Sequence, residues 1–426
     1  MMNIKEVKSE RLGDKYIKAE HPTGLKIFIY PKEGYSSTYA VIATKYGSIN
    51  RTFKVDGEEE VITVPDGIAH YLEHKLFESE DGDAFSKYAK TGASANAYTS
   101  FDLTGYLFSC TENFDESLDI LLDLIQSPYF TEENVKKEQG IIGQEIKMYE
   151  DSAGWRVLFN LLGAMYHEHP INVDIAGTID TIAQITPEKL YKCYNSFYNL
   201  SNMVLCIAGN VDVNKTLARI DSKIKDKEIV RVENIFPDEP YEVVKDRVEQ
   251  RFDITVPMFH LGFKEKAVEG RLPSVKTAQT EILLEILSSR SSRLYNELMD
   301  RKLINSSFGS EYFEGPGYAA IIFSGESNDP DEAARVIKEE ISRIKKEGIS
   351  KEDFERAKKS VYGGNIGSLN SSQSIASAIL NLTFADRELF DTIDCIANIT
   401  LEDVENRLNE QLDVNNSSLS VVLPLN

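Results

Sequence analysis

Residues 67–77 read Gly67-Ile68-Ala69-His70-Tyr71-Leu72-Glu73-His74-Lys75-Leu76-Phe77. Apolar residues recur here at helical spacing, and no helix breaker follows Gly67. On a helix, positions i and i+4 share a face, as do i and i+3. His70 and His74 therefore bring two imidazoles to one point, with Glu73 beside them. Catalytic zinc takes three protein ligands and keeps one position open. A carboxylate next to such a site accepts a proton from a water attacking an amide. The order of residues inverts His-Glu-x-x-His and is itself a metallopeptidase pattern. The competing reading is a solvated helix face with a weak ion pair. Apolar flanks weaken that reading, because they imply a buried helix.

The third ligand is sought on a helix that starts near Glu132. Val135, Glu138, Ile142, Glu145 and Tyr149 fall on one face of it, so Glu138 and Glu145 interrupt an apolar stripe. Buried carboxylates are costly unless paired, hydrogen-bonded or bound to metal. Glu145 is taken as the metal ligand with His70 and His74. Glu138 joins Glu73 in the catalytic set, as the neighbour that orients a histidine or the water. Glu150 competes for the ligand role. It lies about 140° further round the helix than Glu145, so the two cannot face one metal. One Zn2+ per chain is expected. Among the remaining histidines, His167 and His169 sit beside Pro170 and read as structural, as do the lone His21 and His260.

Working outward, the 426-residue chain carries a weak internal repeat. The strand-like Tyr106–Glu112, with Phe114-Asp115-Glu116 after it, recurs as Ile321–Glu326 with Pro330-Asp331-Glu332. Thr131-Glu132-Glu133 recurs as Ser350-Lys351-Glu352, each an N-cap followed by first-turn acids. Each half ends in an apolar strand, Met203–Ala208 and Leu419–Leu423. The expected fold is α+β, with two homologous domains, each an antiparallel sheet covered by helices. The N-terminal metal-binding domain is placed at 1–222 and the C-terminal one, without the motif, at 249–426. The charged segment 223–248, with Pro237 and Pro240, is read as their connection.

A formal charge of −22 argues against nucleic-acid binding, which needs basic surface. The N-terminal residues show no signal-type apolar core, and no apolar run is long enough to span a membrane. Cys110, Cys193, Cys206 and Cys395 form no Cys-x-x-Cys pair and suit a reducing compartment, so the expected location is cytoplasmic.

With its motifs on view, the chain resembles the pitrilysin/insulinase family of zinc peptidases, which includes the mitochondrial processing peptidases. It is similar above all to the small bacterial members. The resemblance rests on His70–His74, Gly92-Ala93-Ser94-Ala95-Asn96-Ala97-Tyr98-Thr99, Glu138–Ile146, Tyr166–Pro170 and Asn202–Leu205. It implies a LuxS/metallohydrolase-like clamshell half as the fold, zinc on His70, His74 and Glu145, and a general base at Glu73. It also implies that Ala95, Asn96, Ala97 and Tyr98 form an edge strand to which peptide substrate adds. Active relatives carry an Arg and a Tyr, seven residues apart in the second half, that hold the substrate carbonyl. The matching positions here are Met299 and Ser306; Arg301 and Tyr312 lie nearby at the wrong spacing. Gly364 stands where the repeat would place Glu145. The resemblance thus implies an endopeptidase for short or unfolded peptides, acting as a homodimer or with a homologous partner that supplies the Arg/Tyr pair. The alternatives are a non-catalytic structural subunit of the same fold and a protease dedicated to maturing one peptide precursor.

Overall fold

The computed structural model describes residues 2–80, 82–226, 228–268 and 270–425. Met1 and Asn426, at the ends of the expected domains, and Lys227, in the expected connection, lie outside the described residues, as do Asp81 and Glu269. The chain forms two compact units. One comprises Met1–Ile146, Asp174–Ile235 and Ser368–Phe390; the other comprises Lys147–Val173, Phe236–Gly367 and Asp391–Asn426.

The first unit is built on a seven-stranded sheet. Its spatial order is Asn3–Lys8, Lys15–Glu20, Lys26–Pro31, Met203–Gly209, Thr38–Thr44, Thr104–Cys110 and Ser94–Thr99. Neighbours run antiparallel except Lys26–Pro31 and Met203–Gly209, which are parallel. The second unit has a five-stranded sheet in the order Arg247–Phe252, Ser417–Pro424, Met258–Lys264, Tyr318–Glu326 and Gly309–Gly315. Only its first pair is parallel. The last five strands of the first sheet, from Lys26–Pro31 to the edge strand Ser94–Thr99, therefore repeat the order and direction of the second. The repeat seen in sequence is a repeat of topology.

The homologous helices follow suit. Phe114–Gln126 corresponds to Pro330–Glu347, and Glu132–Glu150 to Lys351–Ser368. Thr131 and Ser350 cap the latter pair, each accepting from a backbone N–H three residues on, at 3.2 and 3.0 Å. The next helix in each half crosses over. Ala153–Met165 packs on the sheet of the second unit, and Ser372–Phe384 packs on Thr38–Thr44 and Met203–Gly209 of the first.

This exchange explains why those two strands are buried at every residue. Strand side chains alternate between faces. Ala40 and Ile42 lie beside Phe108 and Tyr106, while Tyr39, on the other face, bonds Ser377 of the borrowed helix. Residues 1–222 and 249–426 are the two halves expected from the sequence. The compact units differ from those halves by the exchanged segments. Periodicity marks a helix and its apolar face, but does not say which sheet that face will cover. Within the connection, Val232–Asn234 pairs with Thr52–Val55 in a small sheet of the first unit. Among the described residues, no helix is long and apolar enough to cross a membrane.

His167 and His169 serve structure in the second unit. His169 accepts from the backbone of Ile171 and reaches the carbonyl oxygen of Pro316 at 3.0 Å. The backbone N–H groups of residues 167, 168 and 169 donate to the Glu239 carboxylate at 2.8–2.9 Å, and Lys264 Nζ donates to it at 2.6 Å. Both side chains are 1% exposed. Burial alone would raise the Glu239 carboxyl, but Lys264 and the three N–H groups outweigh it and hold it below the usual range. Such a group stabilises fully above the unfolded value, near 4.3, and its contribution is lost as pH falls through the lower folded value. Glu239→Gln is expected to cost about 3–5 kcal/mol at neutral pH, as for a broken buried pair. In denaturant melts, the gap from wild type should narrow as the pH is lowered past 4.

Candidate metal centre

The site begins with a glycine. Gly67 has φ +89°, and a Cβ there would lie 2.3 Å from the carbonyl oxygen of Ala176. Only glycine fits, so the helix Ile68–Leu76 starts at this point. Its residues Ile68, Ala69, Tyr71, Leu72 and Leu76 are buried. The Tyr71 hydroxyl donates to the carbonyl of Val135, tying this helix to the helix Glu132–Glu150. Val135, Ile142 and Ile146 seat the second helix in the core. That rotation turns Glu138 and Glu145 toward the histidines.

The predicted ligands converge. Glu145 Oε2 lies 3.7 Å from His70 Nε2 and 3.4 Å from His74 Nε2. Donor atoms of His70, His74 and Glu145 all fall within 4.8 Å of one another, the one such group of three among the described residues. Glu150, exposed near the helix end, is not in it. Two imidazoles and a carboxylate are the donor set of a catalytic zinc site. Glu138 bonds the far side of His74, Oε1 to Nδ1 at 3.0 Å. Of its two anticipated tasks, orienting a histidine or the water, the geometry gives it the histidine.

Two family models match the chain. One, described as Insulinase (Peptidase family M16), covers residues 64–179; the other, described as Peptidase M16 inactive domain, covers residues 184–361. YmfH of Bacillus subtilis (strain 168), an uncharacterized zinc protease, is 38% identical over 434 residues and 99% of both chains. The chain belongs to the M16 peptidase family. A second zinc protease of that bacterium, YmxG, is 27% identical over 72% of this chain and 76% of its own. A solved structure described as an M16-like peptidase, from Alicyclobacillus acidocaldarius, superposes with a TM-score of 0.90. It is 35% identical over 99% of this chain and 98% of that one. A Helicobacter pylori protease shares the fold, with a TM-score of 0.81 at 21% identity over 96% of this chain and all of that one.

Around this M16 motif lie two residues whose roles the spacing did not signal. Thr99 donates to Glu73 Oε2 at 2.6 Å. It ends the edge strand, and only the folded sheet returns it to the histidine helix. Lys75 is fully buried and bonds Glu78, with Glu138 Oε2 at 4.0 Å. A lysine beside a histidine on a helix reads as solvated, so sequence gave no signal for it.

Charge in the site follows from burial. Burial, and then the neighbouring His74, lower His70 to about 4. His74 is also buried, which works against its charged form, but hydrogen bonds to Glu138 and Glu145 outweigh this and raise it to about 10. Glu73 is raised, chiefly by burial, against the opposing bond from Thr99. Glu138 is lowered despite burial, by its bond to His74 and the charges of His74 and Lys75.

The strand Ser94–Thr99 is an edge of its sheet, paired among the described residues with Thr104–Cys110 alone. Asn96 and Ala97 line a cavity of about 460 Å3 with Glu73, His74, Phe77 and Phe85. Ala95 and Tyr98 are not among its lining residues. Tyr98 instead lays its ring over Gly105, where a Cβ would come within 2.8 Å. In the second half, Met299 and Ser306 are as the sequence reads. Tyr312 donates to Glu265 and accepts from Arg407, each at 3.0 Å, and Arg301 pairs with Glu297 and Glu332.

Thr99→Val keeps the shape of residue 99 and deletes its donor. Peptide turnover, kcat, is expected to fall about 10-fold, less than the roughly 10²–10⁴-fold that a positioned acid–base group contributes, because Glu73 itself remains, with KM little changed. The lost bond had lowered the Glu73 pKa, so the acidic limb of the pH–rate profile should move to higher pH.

Proposed function

We propose that this chain is the metal-bearing subunit of a zinc endopeptidase that hydrolyses short or unfolded peptides within a chamber. The observation that carries the reading is the meeting of His70, His74 and Glu145 beside a buried Glu73. His70 Nε2, His74 Nε2 and the Glu145 carboxylate would hold zinc. Bound there, zinc supplies a Lewis acid and a lowered pKa for water. Glu73, raised by burial and held by Thr99, accepts the proton of the attacking water and passes it to the leaving amine. The peptide lies along the outer side of the edge strand Ser94–Thr99, a backbone edge that can pair with any sequence.

The oxyanion side of the site comes from a second, homologous chain that carries the Arg/Tyr pair. Three features support this: Met299 and Ser306 carry no suitable group, Tyr312 is held by Glu265 and Arg407, and Arg301 is held by acidic neighbours. We place the enzyme in the cytoplasm, since its four cysteines form no disulfide among the described residues.

The test is peptide hydrolysis by the chain after chelation and after zinc is restored, alone and mixed with a homologous chain that carries the Arg/Tyr pair. Zinc-dependent cleavage that rises on mixing supports the whole reading. A rate indifferent to the second chain removes the two-chain arrangement. No cleavage in any mixture, with zinc bound, makes this a non-catalytic subunit.

A further inference from the structure

We propose that Lys75 is a positioning residue of the metal centre: a buried cation that holds Glu138 on His74 and so sets how tightly the site keeps its metal. The proposal rests on the zinc reading given above and adds to it a residue outside the ligand set and the general base.

The side chain of Lys75 is 0% exposed. Lysine is almost never buried without partners, because its charge must be compensated there. Its partners here are two carboxylates. One is Glu78, which bonds Nζ directly; the other is Glu138, whose Oε2 lies 4.0 Å away. The remaining oxygen of Glu138, Oε1, lies 3.0 Å from His74 Nδ1. Glu138 therefore spans a buried ammonium and a metal-facing imidazole, one oxygen to each.

Lys75 follows His74 in the chain and so projects about 100° away from it around the helix. It cannot share the face of His70 and His74, and acts on them only through Glu138. A carboxylate behind a ligating histidine fixes the tautomer and ring orientation, and such partners typically change metal affinity 10–100-fold. Lys75 keeps that carboxylate in place, with one oxygen toward Nζ and the other on His74. With an apolar residue at position 75, Glu138 would face no buried cation. It would then be free to turn toward solvent, and His74 would lose its acceptor. Lys137, the other lysine near Glu138, is exposed, where screening weakens its pull.

The second partner adds a link. Glu78 begins the short hairpin of Glu78–Ser79 and Gly82–Asp83, and Glu78, Ser79, Gly82 and Asp83 line the cavity next to Glu73. Lys75 thus joins a wall of that cavity to the back of the metal site.

The experiment is a double-mutant cycle on the full chain with Lys75→Met, Glu138→Gln and the pair together. Zinc affinity is measured by chelator competition, and the visible absorption of the cobalt-substituted site reports the ligand field. Lys75→Met and Glu138→Gln are each expected to weaken zinc binding at least 10-fold. The double variant should bind zinc no more weakly than Glu138→Gln alone, and the cobalt spectrum of Lys75→Met should match that of Glu138→Gln. Should Lys75→Met not fold, Lys75→Gln removes the same charge, keeps a donor for Glu78 and carries the same expectation.

A folded position-75 variant with zinc affinity within twofold of wild type overturns the proposal. So do losses that multiply in the double variant. Failure of the zinc reading itself looks different, because the wild-type chain would then take up no stoichiometric zinc.

Discussion

Glu73→Gln is expected to retain one zinc per chain while peptide hydrolysis falls about 1,000-fold. The two halves of that expectation have separate causes. Metal is retained because the three donor atoms that cluster belong to His70, His74 and Glu145; Glu73 points instead to Thr99. Hydrolysis falls because an amide cannot accept a proton from water. The substitution is nearly isosteric, and a glutamine oxygen still accepts from Thr99, so the strand end stays in place. Stability should hold or rise slightly, since burial disfavours the charged carboxylate at this position. Metal content by atomic absorption, together with turnover of a quenched peptide, reads both halves. A variant that keeps wild-type turnover removes Glu73 as the base. A variant that loses zinc and activity together shows that Glu73 supports the metal rather than the water.

The parts of the site legible in sequence were those written in helical spacing. His70, Glu73 and His74 lie within one turn of each other, and Glu138 and Glu145 lie two turns apart within one apolar stripe. Periodicity fixes such relations before any tertiary contact forms. What escaped depends on the sheet and on burial. Thr99 is a strand residue whose partner is 26 positions earlier, and no local rule joins an edge strand's end to a helix. Lys75 escaped because a charged residue is assigned to solvent by default, and only the packed core shows it enclosed. The same limit applies to the fold. The repeat and the last strands were visible as patterns, but the reciprocal placement of Ala153–Met165 and Ser372–Phe384 was not, since both are apolar enough to cover either sheet. Tyr98 is a related case. The segment that carries it reads as a peptide-binding edge, yet its ring is committed to Gly105.

Glu145→Gln is expected to empty the site, with zinc affinity falling by more than the roughly 10–100-fold that loss of an orienting partner costs. Glu150→Gln should leave zinc binding unchanged. Glu145 is the one carboxylate among the described residues with an oxygen near both Nε2 atoms, at 3.7 and 3.4 Å. Its replacement leaves two neutral donors and no anionic ligand for a divalent ion. The choice between the two glutamates is also a statement about the whole helix. For Glu150 to reach the metal, Glu132–Glu150 would have to turn about 140° on its axis. That turn would lift Val135, Ile142 and Ile146, each at most 5% exposed, out of the core, and would carry Glu138 off His74. Three buried aliphatic side chains oppose it at about 1.5–3 kcal/mol each, more than one carboxylate ligand exchanged for another can recover. Zinc content of the two variants, measured side by side by chelator competition, decides the matter. Loss from Glu150→Gln with retention in Glu145→Gln would require that repacking and would overturn both the ligand set and the face on which it was found.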